Sequence, residues 1–413
     1  MAKVFPFQPY RYSQTAGPLD SLVTQPYDKI SPEMRARYLS LSPYNLVRII
    51  LNERQPSDTE WDNPYTRAAA HLNDWIAKGV LVRESEPALF AYFQTFTLPD
   101  EGRELVREGF IGLGVVEDYS AGIVHRHEQT LSGPKKDRLA LLRHTHAHFG
   151  QIFMLYPDPA GEIDRLLDQT SHSAPLGDVR DEYGARHQIW KIADPEQIAC
   201  IQRSMSTKKL LIADGHHRYE TALAFRNENP QLAGAGKVMM TFVNMHSPGL
   251  KILATHRLVS GLAGFSLDGF LERAASEFRV RPVASVAELH AIWRERPGAT
   301  VIGTAVGDRL FALEFQGAPG QLDVRVLHER LLGGVLGIGE EAVREERNLH
   351  YIRGIEAACD AARKGSAQIA FLLQPTSIEQ VADISFGGGV MPQKSTDFYP
   401  KLLSGLTIYR IDE

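Results

Sequence analysis

Apolar positions recur at helical spacing in some stretches of this chain and run together or alternate in others, and the two periods divide it into elements. Residues 1–60 are rich in proline, tyrosine and short turns, which describes a wrapping segment with one helix over 32–41. Over 65–77, Ala68, Leu72, Trp75 and Ile76 share one face, an amphipathic helix ended by Gly79. Residues 88–98 and 104–117 read as a hairpin joined through Pro99-Asp100-Glu101-Gly102. Gly133-Pro134 opens a helix reaching His148, and a strand over 151–156 follows. A strand over 188–192, a helix over 195–205 and an apolar strand over 208–212 lead to Asp214-Gly215, a sharp strand-to-helix turn. After it Tyr219, Ala222, Leu223 and Phe225 return at helical spacing. Strands are expected over 237–244 and 252–255, and residues 261–266 form a link. Beyond the link the pattern gives helices over 267–277 and 286–295, strands over 300–304 and 310–315, then helix 355–364, strand 369–373 and helix 377–384.

Strands alternating with helices predict an α/β fold with α+β character, and the early hairpin makes its sheet mixed. The expected division is an N-terminal wrapping segment and helix over 1–100, a central core over 101–262 and a C-terminal α/β domain over 263–413. A length of 413 residues agrees with two or three domains. Hydrophobic residues at 43% and charged residues at 23% describe an ordinary globular protein. A net charge of −5 gives no overall basic field for nucleic acid or a membrane surface. Cys200 and Cys359 are the only cysteines, which excludes a disulfide framework and a cysteine-rich zinc site and suits a reducing compartment. No run approaches the ~20 apolar residues of a membrane span, and the first residues lack a signal-peptide core. The expected location is cytoplasmic, with nucleotide and small-molecule partners and no nucleic acid or membrane.

The densest chemistry lies in Asp214-Gly215-His216-His217-Arg218. At a helix start, free N–H groups and the positive end of the helix dipole favour anions. Gly215 would let a phosphate approach closely, Arg218 would add a bidentate contact, and His216 and His217 would donate hydrogen bonds or move protons. The plain alternative is a helix capped by Asp214 beside solvated histidines. A second candidate cradle is Ser132-Gly133-Pro134-Lys135-Lys136, preceded by His127-Glu128, with Glu128 the carboxylate for general-base or metal duty. Its alternative is a capped surface helix. His144 and His148, four apart on the expected helix, would be placed to share a metal, but no carboxylate stands between them as in a metalloprotease, and solvated helix histidines are the preferred reading. Gly387-Gly388-Gly389 followed by Lys394, Ser395, Thr396 and Lys401 describes a loop able to close over a phosphorylated ligand. Asp28, Asn45 and Arg48 would either line a site or pin turns.

Several of these pieces occur together and in order: Pro26-Tyr27-Asp28, Ser42-Pro43-Tyr44-Asn45, His127-Glu128 with Thr130-Leu131-Ser132-Gly133-Pro134-Lys135, Asp214 to Ala222, Thr255-His256-Arg257, Met391-Pro392 with Lys394-Ser395-Thr396, and Phe398-Tyr399-Pro400-Lys401. In this the chain resembles the bacterial and archaeal family described as domain of unknown function 1015. The central turn also resembles that of the ParB and sulfiredoxin superfamily, which includes a free-serine kinase. That second resemblance implies a phosphate-binding strand-turn-helix in which Gly215, His216, His217 and Arg218 hold a di- or triphosphate. A histidine stands where sulfiredoxin has its cysteine, which argues against sulfinic-acid repair. The position of Glu128 upstream of the turn implies the base for a substrate hydroxyl.

Three functions follow. The first is a nucleotide-dependent phosphotransferase acting on a small hydroxylated metabolite such as an amino acid, with ATP or ADP as donor. Mg²⁺ would sit near Asp214 or Glu220, and Lys135 and Lys394 would neutralise developing charge. The second is a nucleotide-binding switch or NTPase without an acceptor. The third is a metal-dependent phosphohydrolase using the histidines.

Overall fold

The computed structural model describes residues 1–99, 101–128, 132–318 and 320–412, with the backbone alone for 132–134. It is an α/β protein with a mixed sheet. Its contacts form two compact units, Met1–Leu250 with Pro400–Glu413, and Lys251–Tyr399.

The first unit is built on a nine-stranded sheet among the described residues. Its strands are β1 (Val4–Phe5), β2 (Leu89–Thr97), β3 (Glu104–Val115), β4 (Val124–His125), β5 (Ile152–Tyr156), β6 (Gly177–Arg180), β7 (Arg186–Ile192), β8 (Leu210–Asp214) and β9 (Lys237–Asn244). Their order is β4-β8-β5-β9-β3-β2-β7-β6, with β1 also paired to β3. β4 runs parallel to β8 and β9 parallel to β5; the remaining pairs are antiparallel. The anticipated hairpin is β2–β3, in register from Phe90 opposite Ile111 to Thr97 opposite Glu104.

β2 is almost continuously apolar because both of its faces are covered. On one face Leu89, Ala91, Phe93, Phe110, Met154 and Phe242 form a core. Packed against it are Leu167 of α4 (Glu162–Ser171), Ile201 of α5 (Pro195–Met205) and Tyr219 of α6 (His216–Glu228). A second core joins the wrapping segment to α2 (Pro64–Ala77) and α3 (Ser132–Thr145) through Tyr12, Leu46, Ile49, Leu72, Trp75 and Leu141. α1 spans Pro32–Leu41, as the spacing predicts.

α3 stops at Thr145, short of the expected His148. His146 adopts a positive φ of 46°, and residues 147–148 then pair with 409–410 as a short ribbon. His144 and His148 are therefore not neighbours on one helix turn.

The second unit contains β10 (Lys251–Leu253), β11 (His256–Val259), α7 (Leu267–Ala274), β12 (Phe278–Val283), α8 (Val286–Glu295), β13 (Val301–Val306) and β14 (Arg309–Phe315). It also contains β15 (Leu349–Ile352), α9 (Ile355–Arg363), β16 (Ile369–Leu372), α10 (Ile378–Phe386) and β17 (Asp397–Tyr399), with short helices at Asp323–Val326 and Glu340–Arg344. Six strands form an antiparallel sheet in the order β12-β14-β13-β16-β11-β15, while β10 pairs with β17. The strand expected over 252–255 is β10, and β11, which begins at His256 and serves a different sheet, lies beyond that expectation. Leu327–Val335 is π-helical. Among the described residues no helix is long and apolar enough to cross a membrane.

Candidate functional site

β8 delivers Asp214 to the sheet edge, Gly215 turns the chain, and His216 begins α6. Gly215 has a φ of 93°, left-handed territory that disfavours any side chain. A Cβ there would also lie 3.1 Å from the Arg218 guanidinium carbon. This corrects the expectation that Gly215 clears room for a phosphate, because Arg218 itself covers the glycine. The guanidinium donates to the Gln151 carbonyl and, at 3.4 Å, to Asp214 Oδ2. No side chain caps the first turn of α6, so Asp214 is not the cap.

Burial alone would raise the Asp214 carboxyl, but Lys401, Arg218 and Lys29 together hold it well below the usual range. It is a carboxylate at neutral pH, with Lys401 Nζ at 4.0 Å from Oδ2. The start of the C-terminal segment, at Lys401, and residues 27–29 thus converge on the turn.

Both neighbouring histidines are neutral. Burial pushes His127 down to about 4, and its Nδ1 lies 2.8 Å from the Ile212 carbonyl. A carbonyl only accepts, so Nδ1 carries the proton. His216, stacked edge-on to His127 with ring centroids 4.7 Å apart, is held well below its normal pKa by burial and by His127. It is 7% exposed, and its Nε2 has no hydrogen-bond partner among the described residues. His217 is half-buried; burial lowers its pKa against the nearby carboxylates of Glu220 and Glu128. Lys135 ion-pairs with Glu220, and Arg126 lies 3.7 Å from the same carboxylate.

Beside Arg218 a cavity of about 70 Å³ is lined by Tyr27, Arg138, Phe149, Gly150, Arg218 and Ser404, among others. Arg138 sits 4.3 Å from the centre of the Tyr27 ring. Burial and Asp28 push the Tyr27 phenol up to about 12, against Arg218 and Arg138.

The structure therefore gathers Glu128, Lys135, Asp214, Gly215, His216, His217 and Arg218 in one region, with Asp28, Lys29 and Lys401. Ser132 and Gly133 fall at the start of α3, with side chains outside what is described, and Thr130-Leu131 lie outside the described residues. Lys394 and Ser395 belong to the second unit. There Lys394 has a φ of 57° and Ser395 Oγ donates to Pro392 O at 2.5 Å. Asn45 and Arg48 pin turns: Asn45 Nδ2 donates to Ser21 O at 2.8 Å and Arg48 Nη2 to Leu39 O at 3.0 Å. Among the described residues no group of three or more His, Cys, Asp or Glu side chains is placed to hold a metal. Lys29 and the Gln151 carbonyl carried no signal in the sequence; only the fold brings them to the turn.

An uncapped helix start ringed by lysine and arginine, with ionised Asp214 and neutral histidines, is chemistry for anion binding. The sequence has no match among curated proteins. Solved structures with distant similarity include a conserved hypothetical protein from Pyrococcus furiosus, at 16% identity and a TM-score of 0.37 over 70% of this chain and 93% of that one. A free serine kinase in complex with AMP has 17% identity and a TM-score of 0.37 over 69% and 89%. SbnI with a C-terminal truncation, from Staphylococcus aureus, has 13% identity and a TM-score of 0.35 over 72% and 87%. The model of the family described as "Protein of unknown function (DUF1015)" matches residues 4–325, from β1 through β14, and the chain belongs to that family.

Proposed function

We propose that the first unit binds the phosphates of a nucleotide, ATP or ADP with Mg²⁺, and transfers a phosphoryl group to the hydroxyl of a small metabolite such as an amino acid. The observation that carries this reading is the uncapped start of α6, where buried His216 holds an unpartnered Nε2 and Arg218 and Lys401 flank the neighbouring Asp214. It agrees with what the resemblance to the ParB and sulfiredoxin superfamily implies for this turn. Backbone N–H groups of His216 and His217 would bind phosphate oxygens, and neutral His216 would donate from Nε2. Arg218, Lys401 and Lys135 would offset charge. The start of α3 at Ser132-Gly133 would add a second set of N–H groups.

Transfer needs positioning and charge neutralisation more than covalent chemistry. Glu128 would take the proton of the acceptor hydroxyl as its oxygen bonds to the terminal phosphorus. The bond from that phosphorus to the bridging oxygen then breaks, and the nucleotide leaves one phosphate shorter. Mg²⁺ commonly takes only one or two carboxylates plus phosphate oxygens, and ionised Asp214 fits that demand. Glu220 fits it less well because Lys135 and Arg126 already engage it. The phosphohydrolase reading has no cluster of three ligands among the described residues.

Thermal denaturation against ADP and ATP, each with and without Mg²⁺, tests the reading. A nucleotide at ~100 times its dissociation constant adds ~2.7 kcal/mol of stability. The expected result is a shift of several degrees that Arg218→Ala abolishes. An equal shift in folded Arg218→Ala, or none with either nucleotide, overturns the proposal. A shift with no transfer to any hydroxylated acceptor identifies a nucleotide switch instead.

A further inference from the structure

The sheet face opposite the main core of the first unit carries a row of buried polar side chains. His187 of β7 lies opposite Gln94 of β2, and Gln94 lies opposite Arg107 of β3, so one row crosses three adjacent strands. Arg107 is 1% exposed, its guanidinium stacked 4.6 Å from the centre of the Phe153 ring. Its Nε donates to Gln94 Oε1 at 3.0 Å and its Nη2 to the Pro400 carbonyl at 2.5 Å. Gln94 Nε2 in turn donates to the Lys401 carbonyl at 2.8 Å. Tyr92, on the same face, accepts from Leu403 N at 3.3 Å and lies 2.7 Å from His187 Nδ1. His187 Nε2 lies 3.2 Å from Asp181 Oδ2. The chain from Pro400 to Leu403 is thus held at three backbone points by side chains of two neighbouring strands.

Burying a guanidinium is costly, and a neutral side chain would suffice merely to pack against a carbonyl. A rigid fork that fixes Pro400 and Gln94 at once does something a packing residue does not: it sets the backbone from which Lys401 reaches Asp214. Burial lowers the pKa of Arg107, and the field of Asp214 acts against that, so the two sites are within electrostatic reach.

We infer that Arg107 is a positioning residue: through Gln94 and the Pro400–Leu403 backbone it presents Lys401 as a phosphate-binding cation of the α6 site. The inference rests on the phosphate-binding reading of that site. Its probe is inorganic pyrophosphate, titrated calorimetrically into the full chain and into Lys401→Ala, Arg107→Lys, Gln94→Leu and the Arg107→Lys/Lys401→Ala double variant. Loss of one charge-assisted contact corresponds to about tenfold weaker binding in Lys401→Ala. Arg107→Lys keeps the buried charge but loses the fork, and it should weaken binding several-fold. The double variant should bind no more weakly than Lys401→Ala alone, because the arginine acts through the lysine.

Additive losses, or wild-type affinity in Arg107→Lys, overturn the inference. Amide hydrogen exchange separates it from the reading it rests on. Faster exchange at Leu403 in Arg107→Lys and Gln94→Leu, with β3 unchanged, establishes the clamp even if pyrophosphate does not bind the wild-type chain. In that case the phosphate-binding part falls with the reading. Unchanged exchange at Leu403 refutes the clamp whatever binds.

Discussion

Gly215→Ala tests the geometry of the turn without any ligand. Two separable effects resist a side chain there. A φ of 93° is left-handed, and placing an L-residue in such a conformation costs roughly 1–2 kcal/mol. The added Cβ would also stand 3.1 Å from both Cζ and Nε of Arg218 and 3.2 Å from Nη2. The guanidinium must then move off the Gln151 carbonyl, losing a charged hydrogen bond of roughly 1.5–3 kcal/mol. Together these predict roughly 2.5–5 kcal/mol, or a fall of about 5–20 °C in Tm for a unit of this size. In an Arg218→Ala background the second effect is already gone, so the alanine should cost only about 1–2 kcal/mol. Thermal unfolding of the two single variants and the double variant measures the coupling directly. Equal losses in both backgrounds would refute the claim that Arg218 occupies the space over Gly215, and with it the explanation for the glycine.

Two pH dependences of opposite sign follow from buried groups. His127 has a folded pKa of about 4 against 6.5 for the free group, so below pH 6.5 the unfolded chain takes a proton that the folded chain refuses. Stability should therefore fall by up to about 3 kcal/mol as pH drops from 6.5 to 4, with no contribution above 6.5. His127→Asn should flatten this slope in urea unfolding; an unchanged slope counts against it. Asp323 behaves oppositely, since burial pushes its carboxyl up to about 7. The folded chain keeps that proton longer, so stability falls as pH rises from about 4 to 7 and stays lower beyond. Asp323→Asn should stabilise the protein at pH 8 by up to about 4 kcal/mol and change nothing at pH 4. A gain equal at both pH values would show another cause.

Elements with a complete local code were legible in the sequence. α5 has Asp194 as cap, Pro195 at its first position and a clear apolar stripe, and α8 has Ser285 as cap; both fall where the spacing puts them. The end of α3 was not legible, because the reversal at His146 uses a positive φ in a residue that gives no warning of it. β12 was missed since its exposed Arg279 and Arg281 and its Pro282 dilute the strand pattern. A cut at residue 100 falls inside the β2–β3 hairpin, whose pairing links the two sides. At the site, the turn announced itself because glycine, histidines and arginine are consecutive. Lys401 read only as one cation in a loop, for its partner Asp214 is remote in sequence and the clamp that aims it is built from ordinary strand residues.

The second unit leaves the first at Leu250 and the chain returns at Pro400. Between these points β10 and β17 pair antiparallel, Lys251 opposite Tyr399, so the departing and returning strands are ladder neighbours. Closing a long excursion carries an entropy that grows only with the logarithm of its length. That closure is made by the β10–β17 ribbon itself, for which residues 254–396 are the loop of a hairpin. Lys401 follows the ribbon by two residues. Where Lys401 leaves the ribbon is thereby fixed by the β10–β17 register, and the length inserted between the two strands enters only through that logarithm.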